Sequence, residues 1–355
     1  MSILGIAQAF KGTLDAEVVA GSLRRAIAAA GHSADVVLGS DGGDGLLAAV
    51  DHLLDHRTIH AVSGPFGGPV DAEVGWLDGS TAVIESRLAC GLSLVDWNER
   101  DPMTTTTRGV GELMVEAVRA GAGTVFVGLG GSATMDAGLG MARAMGWGVL
   151  DAEGQGLPEG GGSMRSVARL VAGPAPGARI VGLADVAVPL LGPGGAMRFA
   201  AQKGAGPDAA VALDRGLARV VEAAVPFGGP AHAAFPGAGA AGGLGFGLLC
   251  FAGGELIPGA AWVLDHIGLS RRLAGAELVI VTEGAFDATS MDGKLSGEVI
   301  RRARAAGVAI GLVTPAASAV PPGVLVGEVG GVWDAEMLER RATALIARAV
   351  RLPPV

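Results

Sequence analysis

Four glycine-dense turns in this chain carry acidic or basic neighbours: Asp41-Gly42-Gly43-Asp44-Gly45, Gly128-Leu129-Gly130-Gly131-Ser132, the run from Pro236 through Gly239, Gly242 and Gly243, and Asp292-Gly293-Lys294. Glycine lets the main chain bend tightly and aim N–H groups at an anion, and a helix that starts there adds the positive end of its dipole. Phosphate is the anion such turns suit. Lysine is scarce, yet Lys11, Lys203 and Lys294 all sit beside glycine, where each could place a point charge on a phosphate. Asp41, Asp44, Asp185, Glu283 and Asp287 supply carboxylates near strand ends, the hard oxygen ligands of a Mg2+-nucleotide site. Asp44 could equally cap the helix that follows it.

The elements that must position these groups are legible from hydrophobic period. Ile3 to Ala7 reads as an apolar strand, Asp15 to Ala30 as a helix with Val18, Val19, Leu23, Ala26 and Ile27 at helical spacing, and Ala34 to Leu38 as a second strand. Phe10-Lys11-Gly12-Thr13 therefore falls at the carboxyl edge of a strand, where open α/β sheets bind ligands. Leu46 to His56 is expected to be a helix. Thr58 to Val62, Val70 to Trp76 and Thr81 to Glu85 read as short strands joined by turns. Further on the spacing gives helices at Gly109 to Ala120 and Ala133 to Met145 and strands at Thr124 to Val127 and Arg179 to Ala184. A glycine loop then runs into a buried helix at Leu244 to Phe251. From Glu277 the strand–helix rhythm resumes, ending in an amphipathic helix from Asp334 to Arg351. The expected class is α/β in two domains: a Rossmann-like parallel-sheet domain formed by both chain ends, 1–60 and 276–355, with an α/β domain, 61–275, inserted between them.

Composition excludes several roles. The 355 residues are 50% hydrophobic but only 4% aromatic, with 61 Gly and no Tyr, the profile of an aliphatic α/β protein and not of a disordered chain. A net charge of -9 without a Lys/Arg stripe argues against nucleic acid. Ala233 to Gly254 is uncharged and holds Gly239/Gly243 and Gly243/Gly247 spacings, but its glycine density and Pro236 make a poor membrane span. Cys90 and Cys250 have no CxxC or zinc-type context and read as small buried hydrophobes; with Met1 to Gly5 lacking a basic leader, a cytoplasmic location is expected.

Three rival chemistries are testable. Gly128 to Ala133 follows a strand, opens an expected helix and has Asp151 downstream, so it mimics a dinucleotide fingerprint and would imply an NAD(P)-dependent oxidoreductase. His52, His56 and His60 are spaced by four, but no HExxH surrounds them. No serine sits in a GxSxG elbow.

Taken in order, Phe10-Lys11-Gly12, Asp41 to Gly45, Ile84-Glu85, Arg100-Asp101-Pro102 with Gly109 and Gly111-Glu112-Leu113, Gly128 to Thr134, Asp185-Val186 with Pro189 to Gly192, Gln202-Lys203-Gly204, Pro236 to Gly245, and Glu283-Gly284 through Gly293-Lys294 resemble the glycerate 2-kinase family along nearly the whole chain. The resemblance implies a two-domain α/β kinase that transfers phosphate from ATP, with Mg2+, to a hydroxyl of a small hydroxy acid or polyol, as a monomer or homodimer. By the same carry-over Lys11 and Lys294 bind phosphates, and Asp185 orients or deprotonates the attacking hydroxyl. Gly130, Gly131, Ser132, Gly239, Gly242 and Gly243, with Glu283 and Asp287, hold the nucleotide, and Asp41 and Asp185 meet the metal. Asp41, Asp44, Arg87, Arg108 and Gln8 are expected toward the substrate.

The chain departs from the family pattern at several of these positions. Ala7-Gln8-Ala9 stands for Pro-Asp-Ser, Met135 and Val188 each stand for Asn, Thr282 and Ala285 alter the Thr-Gly-Glu-Gly-Arg run, and Thr289-Ser290 stands for Gln-Thr, while Arg87 and Arg108 are added. A ligand group left without its partner costs about 1–3 kcal/mol, so the departures imply a retuned substrate or, in the harsher reading, a nucleotide-binding pseudo-kinase.

Overall fold

The computed structural model describes residues 1–10, 12–331 and 333–350. Its strands, in chain order, are β1 (Ser2–Ala7), β2 (Ser33–Leu38), β3 (His56–Ser63), β4 (Pro69–Asp78), β5 (Thr81–Glu85), β6 (Thr124–Leu129), β7 (Gly148–Leu150), β8 (Arg169–Val171), β9 (Arg179–Ala184), β10 (Glu255–Pro258), β11 (Leu278–Thr282), β12 (Ala309–Val313) and β13 (Val324–Val326). The chain divides into two compact units, one of residues 1–41, 48–50 and 260–355, the other of 42–47 and 51–259.

The first unit holds a five-stranded parallel sheet in the order β13-β12-β11-β1-β2. Strands β1 and β11 are almost continuously apolar because a central parallel strand is covered on both faces. Helix Ala16–Ala29 buries Val19, Ala20, Leu23, Ala26 and Ile27, and helix Ala335–Ala349 buries Leu338, Ala342, Leu345 and Ile346; both stripes have the i, i+3, i+4, i+7 spacing of a one-faced helix. They share one core with Ile3, Leu278, Ile280 and Trp333.

The second unit is built on a six-stranded mixed sheet, β10-β9-β6-β5-β4-β3, in which β10, β9, β6 and β5 run parallel and β4 and β3 are antiparallel. Helix Arg108–Arg119 lays Val110, Leu113, Met114 and Ala117 on its core, and β7 and β8 form a separate small hairpin.

The boundaries fall at different places from those expected at 60 and 275. Residues 56–60 go with the second unit because β3 pairs along its whole length with β4, from His56 opposite Trp76 to Ser63 opposite Pro69. Residues 260–275 go with the first, where Arg272 binds both oxygens of Asp35 at 2.6 Å and Asp265 pairs with Arg302. Two expected helices are shorter than the period suggested. The Leu46–His56 segment is helical only over Leu46–Ala49, with a 3-10 turn at Asp51–Leu53, because the Asp55 N–H already donates to the Trp76 carbonyl and starts the sheet. His52 lies in the 3-10 turn, while His56 stacks on Trp76 and His60 hydrogen bonds Thr58 within β3, so the three histidines do not share one helix face. In the Ala133–Met145 segment, Ala137 and Gly138 take positive φ and the helix runs only from Leu139 to Ala144. A dinucleotide fingerprint needs a helix opening directly from its glycine turn, and this one does not. The helices Pro207–Ala223, Gly259–His266 and Leu269–Ala274, each starting at or just after a glycine, are additional to the expected elements.

Among the described residues no helix is long and apolar enough to cross a membrane. The glycine loop instead packs inward, and regular helix resumes after Gly243 as expected. A Cβ on Gly242, which has φ +68°, would lie 1.8 Å from the Thr134 carbonyl oxygen. Left-handed strain and a backbone clash together predict that Gly242→Ala destabilises the protein by about 2–4 kcal/mol. Denaturant unfolding with an unchanged midpoint would contradict this.

Candidate active site

In the second unit β6 ends at Leu129 and the chain turns through Gly130, Gly131 and Ser132 at the carboxyl edge of the parallel strands. A Cβ on Gly130 would sit 2.9 Å from the Gly43 Cα and 3.2 Å from an Asp185 carboxylate oxygen; one on Gly131, at φ +60°, would sit 2.1 Å from an Asp44 carboxylate oxygen. The absence of side chains at this turn is therefore what brings Asp44 and Asp185 to it. Asp185 gets there by following β9, the parallel neighbour of β6.

Buried Glu85, at the end of β5, takes the Gly45 N–H at 2.8 Å and the Leu47 N–H at 3.1 Å. The Arg87 guanidinium closes on Glu85 and lies 3.9 Å from Asp44, one-third exposed, so the added arginine stands beside the same turn. Arg108 is elsewhere in function: it pairs with Glu159 at 3.1 Å and Glu112 at 3.7 Å, and two carboxylates leave it little attraction for an anionic ligand.

The segment after the turn is held by two buried charges. Asp136, 1% exposed, accepts the Thr107 N–H and hydroxyl at 2.9 Å each and the Gly138 and Gly140 N–H groups at 3.1 Å each. Burial pushes its carboxyl above the ordinary range, against the pull of those bonds. Lys203, expected to face a phosphate, is instead 3% exposed and donates to the Ser132 hydroxyl and the Thr134 carbonyl, both at 2.8 Å. Burial lowers its pKa to about 8 although Cys90, Asp185 and Asp136 oppose the shift. Cys90 is a buried thiol pushed up to about 12 by burial, as the bland reading of the cysteines requires. Gly239 packs on the Pro189 carbonyl and Gly243 on Ala137, so the second glycine run braces this loop.

In the first unit the helix Leu295–Ala305 starts at Lys294, an awkward place for a cation because the helix dipole is positive there. Two carboxylates offset it. Asp41 accepts the Leu295 N–H at 2.6 Å, and Glu283, 8% exposed, accepts the Ser296 hydroxyl at 2.6 Å and the Ser290 hydroxyl at 2.9 Å and lies 3.4 Å from the Lys294 ammonium. Glu283 thus holds Lys294 in place. Burial raises its carboxyl despite these partners. Asp287 caps the turn Ala288–Met291 by accepting from Thr289, whose hydrogen bonds lower its pKa. The Gln8 N–H donates to the Thr282 hydroxyl at 2.8 Å. Lys11 lies outside the described residues.

Among the described residues no three His, Cys, Asp or Glu side chains come together to hold a metal ion. An open groove of about 620 Å³ along β3, lined by Ile59, His60, Ser63, Glu112 and Glu116, contains neither the glycine turns nor Asp185 and does not mark the site.

A parallel α/β scaffold with carboxylates gathered at a side-chain-free turn is chemistry suited to phosphate, and comparison with known proteins gives the class, a phosphotransferase with an alcohol group as acceptor. The chain belongs to the glycerate kinase family, whose model matches residues 3–322. It is 38% identical to the glycerate kinase of Bacillus subtilis over 86% of this chain and 82% of that protein, and 40% identical to the glycerate 2-kinase of Escherichia coli over 72% and 69%. A crystal structure assigned as glycerate kinase 2 from Salmonella typhimurium LT2 superposes with a TM-score of 0.79 at 29% identity, covering 99% of this chain and 97% of that one.

Glu85, Asp136 and Thr107 were not singled out as site residues, although a carboxylate at the end of β5 was signal enough for the first. Asp136→Asn keeps the shape but turns an amide toward donors, so it should cost about 1–3 kcal/mol. A carboxyl raised in the folded state contributes stability that is full below its unfolded pKa, about 4, and is lost as pH climbs through the folded value. The stability gap between parent and Asp136→Asn should therefore narrow as pH rises above about 4. A gap that widens with pH in urea titrations would contradict the assignment.

Proposed function

We propose that the chain uses ATP to phosphorylate a hydroxyl of D-glycerate or a closely related small hydroxy acid. The observation that carries this reading is the meeting of Asp44 and Asp185 at the Gly130–Gly131 turn, with Arg87 beside them. Phosphoryl transfer asks mainly for positioning and charge neutralisation. In this reading Asp185 orients the attacking hydroxyl and accepts its proton, the N–H groups of the glycine turn face phosphate oxygens, and Arg87 reads a carboxylate of the acid by its unused donors. Lys294, held by Glu283, supplies a point charge to a phosphate in the first unit.

Mg2+ fits this donor set without a protein cage, since it is ordinarily held by one or two carboxylates together with substrate phosphates; Asp185 is the proposed residue here, with Asp41 the candidate in the first unit. When bound, the ion would neutralise charge on the transferred group. The retuning of the substrate is placed on Arg87 because it stands beside the glycine turn, whereas Arg108 pairs with Glu112 and Glu159.

An assay coupling ADP release to D-glycerate and Mg-ATP tests the reading, with larger and more anionic hydroxy acids as a panel. Turnover of at least one acid is expected, and Asp185→Asn should lower kcat by about 10²–10⁴-fold at an unchanged unfolding midpoint. Nucleotide binding by calorimetry without ADP formation on any acid would favour a pseudo-kinase, and a thermal shift with NAD(H) alone would favour the oxidoreductase. Arg87→Met should raise KM for the acid about tenfold with kcat little changed; an unchanged KM would remove Arg87 from substrate recognition.

A further inference from the structure

Lys203 has no surface role. Its ammonium is buried in the second unit, and its two visible hydrogen bonds both end on the segment that leaves the Gly130–Gly131 turn, on the Ser132 hydroxyl and the Thr134 carbonyl at 2.8 Å. The third close neighbour is backbone: a Cβ on Gly242 would come within 3.0 Å of the ammonium. A buried, isolated cation is costly, so its retention in an aliphatic interior needs a compensating arrangement. The groups around it supply one: Asp136 and Asp185 are the carboxylates whose fields reach it, and the remaining titratable neighbour is the buried Cys90 thiol.

The hydrogen bond to Ser132 has a directional consequence. An ammonium has only donors, so the Ser132 oxygen must accept, and its own hydrogen is turned away from Lys203. The Thr134 carbonyl is likewise drawn toward the ammonium and away from the turn. We propose that Lys203 is a positioning residue for phosphoryl transfer: it pins Ser132 and Thr134 so that the glycine turn offers the Ser132 hydroxyl and main-chain N–H groups, and no carbonyl, to an anion. This rests on the kinase reading above.

The test compares Lys203→Met, which keeps length and removes charge, Lys203→Ala with and without added propylammonium, and Ser132→Ala, each against the parent enzyme. Folding is followed by circular dichroism and unfolding midpoint, and kcat and KM for ATP are measured with the best acid substrate. The expected result is a folded Lys203→Met protein with kcat reduced tenfold or more. Propylammonium should restore part of the Lys203→Ala loss in a saturable way, and Ser132→Ala combined with Lys203→Met should lose no more than Lys203→Met alone, because two residues acting as one unit are not additive. Parental kcat and KM in Lys203→Met would overturn the proposal, as would losses that multiply in the double variant. Should Lys203→Met fail to fold, Ser132→Ala decides: unaltered kinetics there leave Lys203 nothing to act through and end the idea. Absence of turnover in the parent itself would instead sink the kinase reading.

Discussion

The second unit depends on main chain meeting main chain where no Cβ can fit. Gly42 lies against Gly259, Gly43 against Gly130, Gly138 against Gly247 and Gly242 against the Thr134 carbonyl, with a Cβ on the first of each pair meeting the second at 2.4, 2.8, 2.8 and 1.8 Å. Such contacts carry an entropic cost, since glycine loses more freedom on folding than any other residue. They also provide little side-chain packing, so the loops need other anchors. Buried polar nodes supply them: Glu85 takes two amides at a helix start, Asp136 takes three amides and a hydroxyl, and Lys203 ties a hydroxyl to a carbonyl. The glycines let the segments approach, and the buried charges decide which conformation they hold once there.

The same logic governs the lysines. The sequence has three, all next to glycine, and that spacing alone made them equivalent candidates for a phosphate. Their environments separate the two that are described. Lys294 is about one-third exposed and is steadied by Glu283, a cation kept available at a helix start. Lys203 is enclosed, and two of its three donors go to protein acceptors. Sequence reports the residue type and its neighbour in the chain; exposure is set by which distant segments close over it.

This is also the boundary of what could be read in advance. Strands β1, β5 and β9 and the helices at 16–29 and 108–119 were legible within a residue or two because each has one apolar stripe or an unbroken apolar run. The two overlong helix expectations failed for a shared reason. Leu46–His56 and Ala133–Met145 both have helix-forming composition, but an acceptor outside the helical ladder captures their amides: the distant Trp76 carbonyl takes Asp55 N–H in one, and the segment's own Asp136 side chain takes the Gly138 and Gly140 N–H groups in the other. Within the candidate site, Asp44, Asp185 and the 130–131 turn were legible because glycine and carboxylate mark a strand end. Glu85 carries that same strand-end signal, whereas Thr107 and Asp136 were not legible, since nothing local distinguishes a carboxylate that faces a ligand from one that holds a loop.

The two added arginines show how far charge counting can mislead. Both were expected to read a more anionic substrate, and by residue type they are the same. Arg108 lies partly exposed between Glu112 and Glu159. Each such surface pair is worth only about 0–1 kcal/mol, but two carboxylates around one guanidinium leave the cluster net negative, which does not favour an anion. Arg87 faces a different balance. Its nearest partner, Glu85, is 3% exposed and already shares its oxygens with two backbone amides, so the carboxylate's charge is spread over several donors. A guanidinium has five N–H donors in a planar fork, and a carboxylate on one edge leaves the other edge able to engage a second anion. Of the other departures, Met135, Thr282 and Ser290 are buried, with Thr282 bonded to Gln8 and Ser290 to Glu283, whereas Ala9, Ala285 and Thr289 are exposed; Arg87 is the added charge that stands beside the glycine turn.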